Sequence, residues 1–405
     1  MHRYSLGFFG NAAFAQHLYL MPKFCKLAGS LPDVALHSAD RPVTSHDVNY
    51  FHPASKMIGR RYRMYALNHP TDNPSMNSIA SEPRPLCDLC GSVGEFAQTG
   101  IADPDGNLSG TWGFRHCSNS ACDAYWLDPA PPPHELWKAY TTYHTHTRKS
   151  GGRLARATLS LAHRFIKLGL LPLWVANGLK RDANYLRYMT LEHEPAGKLL
   201  DVGCGGGRFL NRMKKRGWQV EGVDFDAQAI EKATAHYGIK AHVGDLTQCA
   251  LPPNSFDAIT MSQTIEHLYD PNATLIECLR ILKPGGLLVM TTPNVKSIGA
   301  GEFGAFWRGW EAPRHLHLFS VESLRLLTQR AGFEVIDART YSAGSAVVYR
   351  VSRTNRQKQT GKLSWLDELG LLVWGYRKEL QESRAQQSNP HTGQNVLIRA
   401  RKSAH

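Results

Sequence analysis

The twelve residues "LLDVGCGGGRFL", 199–210, constrain the fold of this chain more than any other stretch. An apolar run that breaks into glycines and then opens a helical pattern is the first strand, turn and helix of an open parallel α/β sheet. Ligands bind such sheets beyond the carboxyl ends of the strands. Dinucleotide folds use G-x-G-x-x-G. Gly203 and Gly205 fit that spacing, but the third glycine, Gly207, comes one residue early, and Arg208 stands where the last glycine belongs. The turn is built for a ligand approaching the backbone, yet it is not spelled for a pyrophosphate.

The flanking sequence supports the sheet. Strand-like runs "KLLDVG", "WQVEGVD", "IKAHVGD", "FDAITMS" and "GLLVMTTP" alternate with helical patterns at 207–216, 227–236 and 271–282. This alternation predicts a doubly wound parallel sheet with helices on both faces. Beyond it "VESLRLLTQRAGF" reads as a helix, and "FEVIDARTY" and "QNVLIRARK" read as strands. An insertion over about 345–392 separates those two strands and carries the amphipathic "LSWLDELGLLVWGYRKEL".

Three acids end successive strands. Asp201 stands two residues before the first glycine, where a carboxylate suits a cationic group better than a phosphate. Asp224, in "VEGVDFD", is placed to accept both hydrogen bonds of a ribose diol. Asp245, in "HVGDL", is placed for an exocyclic amine. Each alone is also what a solvated strand end looks like; three in register point to a ligand.

With these residues in place, the stretch from about 184 to 345 resembles the class I S-adenosylmethionine-dependent methyltransferases. "DVGCGGG" matches their D-x-G-x-G-x-G, "GVDFD" the ribose strand, "GDL" the adenine strand, and "ECLRILKPGGLLVMTTPN" the later helix, turn and strand. The resemblance implies a Rossmann-like seven-stranded sheet whose last strand, "NVLIRAR", runs antiparallel to the rest. It also implies a binding site for S-adenosyl-L-methionine: Asp201, Gly203, Gly205 and Gly207 for the amino-acid part, Asp224 for the ribose, Asp245 and Leu246 for the adenine, and Gln263 near the methionine end. Asp226 departs from the small polar residue common at its position, which leaves Asp224 favoured over Asp226 for the ribose.

Methyl transfer needs a base only if the acceptor must lose a proton. His267 in "IEHL" and His315 or His317 in "WEAPRHLHLFS" are the catalytic candidates, with His315 preferred to His317, each against the alternative of packing or capping. The Gly- and aromatic-rich "SIGAGEFGAFWRGWEAP" reads either as a lid bearing Phe303, Phe306, Trp307 and Trp310, or as a loop pinned by those aromatics.

Cys87-x2-Cys90 and Cys117-x4-Cys122 form two close pairs. Their spacings suit structural zinc, whose closed tetrahedral site takes four thiolates. His116 is an alternative ligand for the looser second pair. A short Gly-rich segment has little core of its own, so a metal accounts for its folding. Eight cysteines in 405 residues are too sparse for a secreted disulfide scaffold, and a cytoplasmic protein is expected.

The net charge of +13 raises nucleic acid as a partner, but the glycine-motif region is nearly neutral and the cysteine module is acidic. An RNA reader interleaves basic residues with aromatics. A small-molecule methyl acceptor, such as a sugar, quinone or secondary-metabolite intermediate, is therefore expected; an RNA methyltransferase and a non-catalytic zinc- and nucleoside-binding interaction protein are the alternatives. No apolar run reaches the roughly 18–20 residues of a transmembrane span. The basic amphipathic stretch "GGRLARATLSLAHRFIKLGLLPLWVANGLKRDANYLRYM" predicts two helices that cover the next domain, with peripheral membrane contact as the other use. The expected division is a weakly ordered extension over 1–80, with Met76 as an alternative start, then a zinc-ribbon-like module over 84–128. A linker with amphipathic helices follows over 129–197, then the methyltransferase core over 198–345, and an insertion with the final strand over 346–405.

Overall fold

The structure, a computed structural model, describes residues 78–140, 153–357 and 365–404. The extension expected over 1–80 lies outside these residues except for 78–80. The first described elements are three antiparallel strands, β1 (Gly94–Ala102), β2 (Thr111–Cys117) and β3 (Tyr125–Asp128). Two helices follow, α1 (Arg153–Ala176) and α2 (Leu179–Tyr188). One side of α1 packs Ile166, Leu170 and Trp174 inward, while Leu161, Phe165, Leu168 and Val175 are exposed.

The regular α/β alternation then starts where the periodicity places it. It runs β4 (Lys198–Val202), α3 (Arg208–Lys214), β5 (Gln219–Asp224), α4 (Ala227–Tyr237), β6 (Lys240–Val243), β7 (Phe256–Ser262), α5 (Pro271–Ile281) and β8 (Leu282–Pro293). Short α6 (Ile298–Phe303), β9 (His317–Leu318), α7 (Val321–Arg330) and β10 (Glu334–Tyr341) come next. The expected insertion is two helices, α8 (Ser345–Arg356) and α9 (Trp365–Ser388), before β11 (Asn395–Arg401).

The large sheet has the order β10-β11-β8-β7-β4-β5-β6. Its strands β7, β4, β5, β6 and β8 pair in parallel, and β11 is antiparallel to both of its neighbours, β8 and β10. This is the seven-stranded arrangement expected, with the last strand reversed. The central strand "KLLDV" is buried from Leu199 onward, because helices cover both faces. One face packs Leu275, Cys278 and Ile281 of α5 and Leu324 and Leu327 of α7 against β7, β8 and β11. The other packs Leu179, Leu210, Met213 and Ile230 from α2, α3 and α4.

Side-chain caps start the helices cleanly. Asp226 accepts from the backbone N–H groups of Gln228 and Ala229 to open α4, and Asp270 accepts from Ala273 to open α5, with Pro271 in its first turn. Ser320 and Ser323 cap α7 reciprocally.

The small sheet is β1-β2-β3-β9, so its fourth strand comes from residues almost two hundred positions further along the chain. Tyr125 pairs with Leu318 and Trp126 with His317. The cysteine-bearing strands are thereby joined edge to edge with the segment that follows β8. Among the described residues, no helix is long and apolar enough to cross a membrane.

Candidate functional site

The carboxyl ends of β4, β5, β6 and β7 lie side by side, and the singled-out residues cluster there. The turn after β4 folds back onto β5: the N–H groups of Gly203 and Cys204 donate to the Val223 carbonyl at 2.8 and 3.1 Å. Gly203 has φ +77°, and a Cβ there would lie 2.3 Å from Thr264 Oγ1. Gly207, at φ +73°, packs its missing Cβ against Ala233 and Ile239 at 2.9 Å. Both positions need glycine on steric and conformational grounds, which accounts for the early third glycine: it lets α3 approach α4.

Asp224 ends β5 and is 2% exposed. Its Oδ2 accepts from Gly205 N at 2.8 Å and its Oδ1 from Asp226 N at 2.9 Å. Asp226 itself is occupied as the α4 cap, which separates the two acids that the sequence leaves in competition. Asp201 is also buried and accepts from Thr260 Oγ1 at 2.6 Å. Burial pushes both carboxyls up to about 7, against the hydrogen bonds each accepts. Among the described residues no cation pairs with Asp201, so this acid has a low-dielectric site and no counter-charge; a positive group placed there is stabilised.

Asp245 is exposed and caps the single turn Leu246–Gln248 through Thr247 N at 2.8 Å, while the Leu246 side chain is buried in the core. Gln263, just after β7, holds φ +54°, with its N–H bonded to Thr291 O at 2.8 Å. Left-handed backbone at a non-glycine residue costs about 1–3 kcal/mol and is typical of functional sites.

His267 follows β7 on the turn Ile265–His267. Its Nδ1 lies 3.0 Å from the Arg314 carbonyl and 3.0 Å from the Tyr140 hydroxyl. A carbonyl only accepts, so Nδ1 carries the hydrogen and Nε2 the lone pair, an assignment made from the partners. Burial lowers the His267 pKa, offset in part by Glu311 and the Arg314 carbonyl. His315 stands edge-on, with ring centroids 4.7 Å apart, and donates from Nδ1 to Gly309 O at 2.8 Å. Burial and His267 depress His315 to about 3. Glu311 sits beside both; burial opposes its charge, but Arg308, His315 and Arg314 hold it well below the usual carboxylate range.

Glu266 is fully buried, accepts from Thr292 Oγ1 at 2.9 Å, and is pushed to about 8 by burial. With His267 and His315 it brings three ligand atoms within 4.8 Å. A buried carboxyl that burial holds protonated at neutral pH suits proton handling better than a cation.

Two residues that sequence reasoning passes over, Tyr140 and Arg314, belong to this region. Tyr140 meets Phe225 edge-on at 5.7 Å and bonds His267, so it spans the ends of β5 and β7. Arg314 is buried beneath them. The aromatics of 297–313 divide: Phe303, Trp307 and Trp310 are core residues and Phe306 is 39% exposed. Trp310 packs on Phe114 at 5.0 Å. These buried rings are what the reading as a loop pinned by aromatics calls for.

The four cysteines converge. Cys87 and Cys122 sulfurs are 3.7 Å apart, Cys90 and Cys117 sulfurs 3.4 Å, and all four lie within 4.8 Å of one another. Thiolates about 2.3 Å from a tetrahedral zinc stand near 3.8 Å apart, so the set fits that ion. His116 is directed elsewhere: its Nε2 bonds Asp123 Oδ1 at 2.6 Å and its ring stacks on Tyr125. The only small core in the knuckles is made of these cysteines with Ala124 and Trp126.

Residues 178–338 match the family model described as a methyltransferase domain. This segment is thus similar to a methyltransferase domain. The match begins after the fourth cysteine of the module. The chain is 32% identical over 152 residues to a "Probable S-adenosylmethionine-dependent methyltransferase" of Mycolicibacterium smegmatis, an alignment covering 37% of this chain and 57% of that protein. It is 36% identical over 136 residues to the ubiquinone biosynthesis O-methyltransferase of Xanthomonas axonopodis pv. citri, covering 30% and 56%. The corresponding protein of Idiomarina loihiensis is 35% identical over 151 residues, covering 34% and 62%. The chain thus spans somewhat more than half the length of the curated relatives it matches. Among solved structures, a SAM-dependent methyltransferase from Archaeoglobus fulgidus overlaps at a TM-score of 0.38 and 20% identity, covering 55% of this chain and 92% of that one.

Proposed function

We propose that this protein transfers the methyl group of S-adenosylmethionine to an oxygen or carbon of a small-molecule acceptor. The observation that carries the reading is the pair of buried carboxyls, Asp201 and Asp224, at a glycine turn, with His267 linked through Tyr140 to Phe225, the residue after Asp224. Asp201 would face the ammonium of the amino-acid part, the Asp224 oxygens the ribose hydroxyls, and Asp245 with the Leu246 backbone the adenine. Bound S-adenosylmethionine supplies a sulfonium methyl already activated for in-line displacement, with the C–S electron pair returning to sulfur. The chain's own share is to hold the acceptor in line and keep water out, an effect worth up to about 7–11 kcal/mol in favourable cases. Where the acceptor is a hydroxyl, His267 Nε2 takes its proton as the new C–O bond forms.

The ubiquinone O-methyltransferase relatives support a small hydroxylated acceptor as the class. A screen of such acceptors, read by mass spectrometry for the gain of one methylene together with S-adenosylhomocysteine release, tests the proposal. Tight S-adenosylmethionine binding with no release on any acceptor would favour the non-catalytic reading. With an acceptor in hand, His267→Gln is expected to lower turnover by about 10²–10⁴-fold while cofactor affinity stays within a few-fold; an unchanged kcat removes His267 from the base role.

The two buried acids, Asp201 and Asp224, also set a pH dependence. Their folded values, about 7, lie above the unfolded value of 3.8. The ligand-free folded protein therefore holds more protons than the unfolded chain between those limits, and these two groups cost stability as pH rises through that window. A cationic ligand needs the ionised forms. Its dissociation constant is expected to fall from pH 5.5 to about 7.5, then rise again as an α-amino group of pKa about 7.7–8.0 deprotonates. Calorimetric titration across that range checks it, and a flat profile would remove Asp201 from the ammonium site.

For the cysteine cluster we propose structural zinc held by Cys87, Cys90, Cys117 and Cys122.

A further inference from the structure

We infer that Arg314 is a positioning residue that ties the four-cysteine module to His267; the inference rests on the methyltransferase reading only for the role of His267. Arg314 is completely buried. Its Nη2 donates to Asp103 Oδ1 at 2.9 Å, and Asp105 Oδ2 lies 2.9 Å from the same nitrogen as an ion pair off the N–H axis. Both acids belong to the connection between β1 and β2, where Asp103 also accepts from the N–H groups of Asn107 and Leu108. Nη1 donates to the Ala139 carbonyl at 3.1 Å, next to Tyr140, and Nε to Glu311 at 3.2 Å. One guanidinium thus gathers the module, the Tyr140 segment and Glu311, and the carbonyl of the same residue meets His267 Nδ1. A planar fork with five donors can hold these partners at once; an ammonium cannot.

The two knuckles reinforce the same segment. Asp88, between Cys87 and Cys90, bonds His317 Nε2 at 3.2 Å, and His317 Nδ1 in turn meets the Leu268 carbonyl at 3.1 Å, one residue past His267. Asp123, following Cys122, accepts from Ser320 Oγ at 2.8 Å and Lys296 Nζ at 2.7 Å. Each cysteine pair therefore presents an aspartate to the stretch running from Arg314 to Ser320, and Leu316 N donates to Glu266 O at 2.8 Å to close the frame around His267. Tyr140, His315, Glu266, Glu311, Arg308 and Arg314 are the titratable or charged groups around that imidazole. The module's place in the molecule is to fix which nitrogen of His267 carries the hydrogen.

The test is nitrogen NMR of the full-length, zinc-loaded protein labelled with ¹⁵N-histidine, with His267 assigned by loss of its signals in His267→Gln. The wild type is expected to show one neutral tautomer at His267, protonated on Nδ1. In Arg314→Lys the two tautomers mix and the His267 pKa climbs toward its unperturbed value of about 6.5. Asp105→Asn, which keeps every hydrogen bond of Asp103, gives a smaller shift in the same direction and covers the case in which Arg314→Lys fails to fold. His267 signals superimposable on wild type in a folded variant would overturn the inference. Calorimetric binding of S-adenosylmethionine to the same samples separates the two claims: unaltered binding with altered His267 supports Arg314 as a positioning residue, and a wild type that binds no cofactor defeats the functional reading while leaving the tautomer result to decide this one.

Discussion

Replacing Asp224 with alanine is expected to weaken S-adenosylmethionine binding at least 100-fold. The carboxylate holds Gly205 N and Asp226 N, and in the proposed site the same oxygens also accept from the ribose diol. Hydrogen bonds to a charged group contribute about 1.5–3 kcal/mol each, so losing two to the ribose costs at least about 3 kcal/mol, or roughly 100-fold. The loop itself also loosens. Asp226→Ala is the matched control: it removes the α4 cap, costs about 1 kcal/mol of stability, and should leave affinity within a few-fold. Calorimetry on the pair decides it. Wild-type affinity in Asp224→Ala, or the larger loss in Asp226→Ala, would reverse the assignment.

The second large effect is expected from Cys90→Ser. Structural zinc is worth about 10–16 kcal/mol in isolated zinc-finger peptides, and these knuckles have almost no other core. Even a few kcal/mol lost should lower the melting temperature by on the order of 10 °C, together with the zinc measured by elemental analysis of the purified chain. Because Asp88 reaches His317 and Asp123 reaches Ser320, the loss should spread into the methyltransferase domain rather than stay local. A wild-type protein without bound metal, melting at the same temperature as the variant, would show that four thiols alone suffice.

The parallel sheet was legible because its signals are local. An apolar run buried on both faces, a glycine turn and a helix period each sit within a dozen residues. The ribose and ammonium candidates were legible for the same reason, since each ends a strand. Two ambiguities needed three dimensions. Asp224 and Asp226 are two residues apart in sequence, and only the capping bonds to Gln228 and Ala229 show that one of them already has a task. The aromatic stretch 297–313 reads equally as cover or core until Phe114 and Tyr349 supply faces for Trp310 and Phe303.

Other features leave no trace in a sequence. A two-residue strand such as β9 has no period to detect. Arg314 earns its role from Ala139, 175 positions earlier, and Asp103, 211 positions earlier. Tyr140 looks like any tyrosine at the end of a short turn until His267 is beside it. That Arg314 is buried shows only in three dimensions, where such a charge is seldom found without partners.

The pairing of β3 with β9 also fixes when the chain can finish folding. Strand β3 ends at Asp128 and its partner begins at His317. At translation speeds of about 5–20 residues per second, the nascent module waits roughly 10–40 s for its last strand. During that time one sheet edge is bare and the four thiols stand in a half-built frame. The small sheet is therefore completed only after most of the large sheet has been synthesised, and the two must assemble together.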